Sequence, residues 1–409
     1  MRRRARLPRA GTIRGLAIAG VLIAVLAVAG CARTQRSPLA LVPGSTVTLQ
    51  ASDIDLEQFS TALSRHRAAL AADLAAGEDR PHAFGAASVA ASELLRVQEE
   101  LAGLTQQAPS ADELVRRTLE RFELHRFAGQ NGRGDVLLTG YYLPELAASD
   151  HPDDTHRFPL YGIPTDLHQV DLGVFSSDLA GKRITYRVLA DGTIAPYHER
   201  SAIDSGNALA GRGLEIAWVD DAISRFFLMI QGSGILRYAG GTTRNVNYAA
   251  QNGRPYEAIG KLLIREGRIA REDMSMQAIR RYLSAHPEEQ ERIFATNPSY
   301  VFFTLADGGP YGASQVALTP GVSLAVDRKV VPQGTVVLAA LPILRFDAAG
   351  AIAAVGQVLR LMIVQDTGGA IRGPGRADIY FGSGAEAEQH AGHLRHDGQL
   401  YALRLPRAP

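Results

Sequence analysis

VQDTGGAIRGPGRADIYFGSG, residues 364–384, places two aspartates between apolar runs. Leu361-Met362-Ile363-Val364 leads in and reads as a buried strand. Asp366 closes that strand. A loop with Gly368, Gly369, Gly373, Pro374 and Gly375 follows, too rich in glycine and proline for a helix. Asp378-Ile379-Tyr380-Phe381 re-enters a short strand, which turns at Gly382 and Gly384. Two carboxylates at strand rims beside a backbone of glycines suit acid/base work on a bulky polar substrate. The same pattern also describes a tight loop with two turn aspartates, since Asp is common in turns.

Working outward, strands surround this stretch. Val322–Val326 leads to Asp327, Thr335–Ala339 follows a Val331-Pro332-Gln333-Gly334 turn, and Leu400–Leu405 lies after it. Val301–Phe303 and Val136–Tyr142 lie further upstream. Between those two, Arg183–Ala190, Asp191-Gly192 and Thr193–Tyr197 read as a hairpin with a two-residue turn. Gly213–Val219 and Arg225–Ile230 read as apolar strands around an Asp220-Asp221 turn, the second running into Gln231-Gly232-Ser233-Gly234. Helices are expected over Tyr256–Glu266, stopped by Gly267, and Met276–Ala285, capped by Ser275. Upstream, Leu56, Phe59, Leu63 and Leu70 mark one helical face and Leu94, Leu95, Val97 and Leu101 another. Ser110 and Glu113 have the spacing of a capping box before a third helix.

The chain begins with a basic segment, Arg2, Arg3, Arg4, Arg6, Arg9 and Arg14, without an acid. Gly15–Ala29 is apolar but shorter than the ~20 residues of a membrane-spanning helix. It ends in Ala29-Gly30-Cys31, which resembles a bacterial lipoprotein signal. Cys31 is the only cysteine in the chain, so no intrachain disulfide can form, and lipidation of Cys31 is expected. Ala32, in place of an aspartate, points to the periplasmic face of the outer membrane. The whole chain carries +1, and the six arginines before Gly15 leave the remainder near −5. A body of that charge argues against nucleic acid as a partner.

Several stretches together resemble the membrane-bound lytic transglycosylase A (MltA) family. They are Thr139-Gly140-Tyr141-Tyr142 with Pro144, Tyr161-Gly162-Ile163-Pro164, Ile230-Gln231-Gly232-Ser233-Gly234, Asn252-Gly253-Arg254-Pro255-Tyr256, Asn297-Pro298-Ser299-Tyr300-Val301-Phe302-Phe303, Ala325-Val326-Asp327-Arg328 and the glycine-rich stretch. The resemblance covers about residues 135–409 and implies a mainly β fold. That fold is a double-psi β-barrel with flanking helices, carrying a C-terminal three-aspartate (3D) domain and an inserted smaller β-barrel domain. The implied layout is a signal over 1–30, a linker over 31–50, helices and the first part of the barrel over 51–157, the insert over 158–296, and the rest of the barrel over 297–409.

The resemblance also implies an activity, the lytic cleavage of the β-1,4 bond between MurNAc and GlcNAc in peptidoglycan, leaving 1,6-anhydro-MurNAc. Asp378 is then the single acid/base. A proton donor is favoured by burial and a nearby negative charge, and Asp366, twelve residues earlier, is placed to supply the charge. Gln231, Ser233, Gly234, Gly368, Gly369 and Tyr141 are the expected glycan-binding residues. Asp327 reads equally well as a turn aspartate. Glycan strands, outer-membrane lipid and cell-wall synthesis proteins are the implied partners, with no cofactor. His390, His393 and His396 lack the spacing and the carboxylate of a familiar zinc pattern. Two alternatives stay open: an inverting hydrolase using both Asp366 and Asp378, and a peptidoglycan-binding barrel without catalysis.

Overall fold

The computed structural model describes residues 37–48 and 51–406, which belong to one compact unit. Cys31 and the basic segment lie outside the described residues. β1 (Leu39–Val42) precedes the helices Leu56–Ala75, Ala91–Gln107 and Ala111–Arg121, with the hairpin β2 (Pro81–Phe84) and β3 (Ala87–Ala90) between the first two. β4 (Glu123–Phe127) and β5 (Val136–Leu143) follow. The middle of the chain holds β6 (Glu145–Ser149), β7 (Phe158–Tyr161), β8 (His168–Asp171), β9 (Arg183–Val188), β10 (Ile194–Pro196), β11 (Glu215–Val219), β12 (Ser233–Tyr238), β13 (Thr243–Gln251) and β14 (Val301–Ala306). The last part holds β15 (Ser323–Ala325), β16 (Val336–Phe346), β17 (Ile352–Asp366), β18 (Arg376–Ser383), the helix Gly384–His393 and β19 (Arg395–Arg404).

Six strands close a barrel in the order β19, β16, β17, β15, β18, β5 and back to β19. Two neighbouring pairs are parallel, β15 with β17 and β18 with β5, and the rest are antiparallel. Val337, Ala339, Met362, Val364, Ala377, Ile379 and Leu138 fill the interior. The alternate residues Val336, Leu338, Leu361 and Ile363 pack with Phe59, Leu63 and Leu101 of the N-terminal helices. Strands covered on both faces read as unbroken apolar runs, which is why 361–364 stood out in the sequence. β4 and β1 extend the wall beyond β19.

The insert leaves the barrel after β5 and returns before β15. Its sheet runs β14, β13, β12, β6, β11, β7, antiparallel except for β12 with β6. β7 and β14 come into contact without a hydrogen-bonded ladder. Buried Asn252 and Asn297 hold its loops. The Asn252 amide donates to the carbonyls of His198 and Pro298, and Asn297 Oδ1 accepts from the N–H of Glu257 and Ser299. Their recurrence in the motifs is thereby explained by structure, since a buried amide with partners fixes a loop that would otherwise leave polar backbone unsatisfied.

The structure departs from the sequence expectations in several places. The span 31–50, expected as a linker, holds β1, which pairs with β4 beside the barrel, and the insert's sheet includes β6 and β14, outside the expected 158–296. Arg225–Ile230 is not a strand but lies inside the helix Ala222–Gln231. Asp221 caps it by accepting from the N–H groups of Ile223 and Ser224, and Gly232 ends it in the left-handed conformation at φ 83°. That helix is buried on most sides against the helices Ile259–Arg265, Met276–Ala285 and Gln290–Ala295. Its five consecutive apolar residues, Phe226–Ile230, are too short a run for periodicity to tell a buried helix from a buried strand. The Asp191-Gly192 turn spans more than two residues, because Val188 pairs with Ile194 and Leu189 N–H donates to Thr193 O at 2.8 Å.

Candidate active site

Side chains alternate across a strand. Ala377 and Ile379 point into the barrel, so Arg376, Asp378 and Tyr380 lie on its outer wall. Asp378 is opposite Ala325 on one side and Thr139 on the other, and Ala325 is in turn opposite Asp366. One row across the wall therefore holds Asp366, Ala325, Asp378 and Thr139. Neighbouring strands are ~4.8 Å apart, so the two aspartate backbones are roughly 10 Å apart.

Thr139 Oγ1 donates to Asp378 Oδ1. Arg376 Nε donates to the same oxygen at 3.0 Å, and Arg376 Nη2 reaches Asp378 Oδ2 at 3.3 Å and Thr139 Oγ1 at 3.2 Å. The Asp378 side chain keeps 18% of its surface exposed, enough for a substrate atom to reach it. Asp366 is held differently. Its Oδ1 accepts the N–H of Thr367 at 2.8 Å and of Ala313 at 3.0 Å. Burial pushes the Asp366 carboxyl above the ordinary carboxylate range, and the charge of Asp378 adds to the push, while the two N–H groups oppose it.

Tyr141 packs against Tyr380 with ring centroids 5.2 Å apart. Its buried hydroxyl lies near the Asp366 carboxyl, and burial first, then the charge of Asp366, raises it well above the usual phenol range. Gln231 Oε1 accepts the N–H of Tyr142 at 3.2 Å, joining the helix Ala222–Gln231 of the insert to β5 of the barrel. Ser233 opens β12. Gly234 is packed tightly, since an added Cβ would stand 2.5 Å from Leu228 Cδ1 and 2.9 Å from Pro144 O. Around Gly369 an added Cβ would meet nothing, and at Gly368 only the side chain of Ile371 at 3.2 Å. Gly375, by contrast, lies against the backbone of Gln130, with an added Cβ 3.0 Å from its N and Cα. Asp327 stands apart from the row and clamps loops, with Oδ1 accepting from Lys329 N–H at 2.9 Å and Oδ2 from Gly373 N–H at 2.7 Å. His390 lies between Phe346 and Phe381, and His393 Nδ1 is 2.9 Å from Gln389 O. Among the described residues no group of three metal-ligating side chains gathers.

Three residues of the site escaped the sequence reading. Arg376 had a readable signal, since i and i+2 share a strand face with Asp378. Thr139 stands in one of the motifs of the resemblance but carries no role there, because its place depends on a parallel pairing between distant strands. Tyr256 is on the insert, 42% exposed, with the Arg376 charge of the barrel wall acting on its hydroxyl.

The family models agree with this architecture. The MltA specific insert domain matches residues 137–304 and the 3D domain matches residues 322–404. The chain is 33% identical over 297 residues to a membrane-bound lytic murein transglycosylase A from Vibrio cholerae, covering 71% of this chain and 72% of that one. It is 35% identical over 280 residues to its namesake from Escherichia coli, covering 68% and 67%. A membrane-bound lytic murein transglycosylase from Agrobacterium tumefaciens superposes with a TM-score of 0.70 at 31% identity, covering 90% of this chain and 97% of that one. The E. coli MltA crystal structure with bound chitohexaose superposes with a TM-score of 0.69 at 26% identity, covering 91% and 97%. With both family models in sequence order and two thirds of such relatives covered, the chain belongs to the membrane-bound lytic murein transglycosylase A family.

Proposed function

We propose that this protein is a peptidoglycan lytic transglycosylase in which Asp378 is the sole acid/base. The observation that carries this reading is the grip on Asp378: one half-buried carboxyl on the outer wall of the barrel, held by Thr139 and Arg376 and still open to a substrate atom. Asp378 gives its proton to the oxygen that joins MurNAc C1 to GlcNAc, and the C1–O bond breaks. Positive charge develops at C1. The C6 hydroxyl of the same MurNAc attacks C1, and the Asp378 carboxylate takes the proton from it. The product is the 1,6-anhydro sugar, and no water is consumed. Because the nucleophile belongs to the substrate, ring closure gains from proximity.

Asp378 must alternate between acid and carboxylate. A hydroxyl such as Thr139 serves both, since it donates to a carboxylate and accepts from a carboxylic acid. Arg376 serves the carboxylate. Asp366 supports from one strand away, its Oδ1 committed to two backbone N–H groups. Chitohexaose bound to the E. coli relative supports a glycan strand as the ligand. Tyr141, Gln231, Ser233, Gly234, Gly368 and Gly369 are the residues this reading assigns to binding the glycan strand. Lipidation of Cys31 then tethers the enzyme to the periplasmic face of the outer membrane, near its substrate and the proteins that build the wall.

The spacing of Asp366 and Asp378 keeps one rival in play, since inverting hydrolases set their carboxyls ~6.5–9.5 Å apart around a water. Mass spectrometry of products from purified sacculi decides. Anhydro-MurNAc ends with the native protein, and none with Asp378→Asn, are expected. Reducing ends would establish the hydrolase. Glycan binding without any product would establish a binding module.

A further inference from the structure

The loops at the barrel rim beside Asp378 carry cations without acidic partners. Asp327 builds the corner by accepting N–H groups from both Lys329 and Gly373. The clamp sets exposed Arg328 and Lys329 beside exposed Arg372. A further bond, Val326 N–H to Asp366 O at 3.2 Å, ties the corner to the end of β17. Arg372 Nη1 donates to the carbonyls of Gly368 and Ile371 at 3.2 and 3.0 Å, so the guanidinium is oriented but not neutralised. Among the described residues, none of Arg328, Lys329 and Arg372 makes an ion pair, whereas Arg376, four residues on, pairs with Asp378. The nearby acids are engaged: Asp327 and Asp366 by backbone N–H groups, Asp378 by Thr139 and Arg376.

We infer that Arg328, Lys329 and Arg372 form an anion subsite for the carboxylates of the peptide stems carried by the glycan strand. The inference rests on the reading of this chain as a peptidoglycan enzyme. Neutral sugar rings offer nothing to three unpaired cations. A stem hangs from the lactyl group of MurNAc and ends in carboxylates. The loop holding Arg372 runs directly into Arg376 and Asp378, so the rim adjoins the strand that carries the acid. Three partners on rigidly clamped loops add modest affinity each and a directional preference, as exposed charge pairs do.

The test uses Asp378→Asn, which separates binding from cleavage, with calorimetry against two ligands: soluble glycan strands bearing stems, and the same strands stripped of stems by an amidase with the freed lactyl carboxyls converted to neutral methylamides. Stem-bearing strands are expected to bind about fivefold tighter or better, an advantage that shrinks as salt screens it. Arg328→Gln with Arg372→Gln should erase that advantage, and Arg328→Lys with Arg372→Lys should keep most of it. Circular dichroism confirms that each variant folds. Equal binding of the two ligands by Asp378→Asn overturns the inference. So does a preference that survives the glutamine pair, or an equal loss on both ligands. Failure of the transglycosylase reading itself shows elsewhere, as native protein that releases no product from sacculi.

Discussion

Thr139 and Asp378 stand 239 residues apart in the chain and directly opposite each other in a parallel ladder, the hydroxyl of one donating to the carboxylate of the other. The bond reaches from the last strand before the insert to the strand that follows the glycine loop. Asp378 owes its orientation to it and to Arg376.

Removing that donor should therefore cost rate more than stability. A hydrogen bond to a charged group contributes about 1.5–3 kcal/mol. Thr139→Val is expected to lower kcat roughly 10–100-fold, with Thr139→Ser close to native. Steady-state rates on sacculi, with melting curves as control, check this. A fully active Thr139→Val would mean that the hydroxyl does not hold the acid.

Gly234 is a packing position. A methyl group there meets Leu228 Cδ1 and Pro144 O well inside contact distance. Gly234→Ala should destabilise the protein by about 1–3 kcal/mol through overpacking. Urea unfolding measures it, and an unchanged midpoint would show that the junction yields freely.

His66 sets a pH dependence of stability. It is buried beside Gln98, whose amide donates to Gly334 O at 2.7 Å and lies 3.3 Å from His66 Nδ1. Burial lowers its pKa from 6.5 to about 4. The unfolded chain then binds the proton more readily, so stability is complete above pH 6.5 and falls as the pH drops toward 4. The loss is on the order of 3 kcal/mol. Unfolding free energies between pH 7 and 4 should show this slope, and His66→Leu should flatten it.

Asp366 works in the opposite sense. Its carboxyl is raised by burial, so the folded state holds the proton more tightly than the unfolded chain does. The stability it contributes is present at low pH and is lost as the pH rises through its folded pKa. Asp366→Asn should remove that decline. A native pH–stability curve unchanged by the substitution would place the carboxyl in a more polar setting.

The barrel strands were legible where both faces are buried, as in 361–364, and the caps at Ser110 and Ser275 each bond the expected N–H. The motif carrying Asp378 was legible as well. Its partners were less so. Arg376 needed only the two-residue period of a strand, but Thr139 needed the register of β5 against β18, which no local pattern encodes. The helix Ala222–Gln231 reads as a strand because its apolar run Phe226–Ile230 is short enough to suit either element. The motif Gln231-Gly232-Ser233-Gly234 also holds a helix end, a close packing contact and a tie to β5, none of which its local pattern encodes.

The ring of six strands can be completed only when β19 pairs with both β5 and β16. Contacts of such long sequence separation form slowly, because a large loop must close before any of them is rewarded. A chain still being made has Thr139 long before it has Asp378, and both before the strand that seals the cylinder. A truncated or nascent copy thus carries no assembled acid, and the capacity to cut a cell wall arises only in the finished molecule.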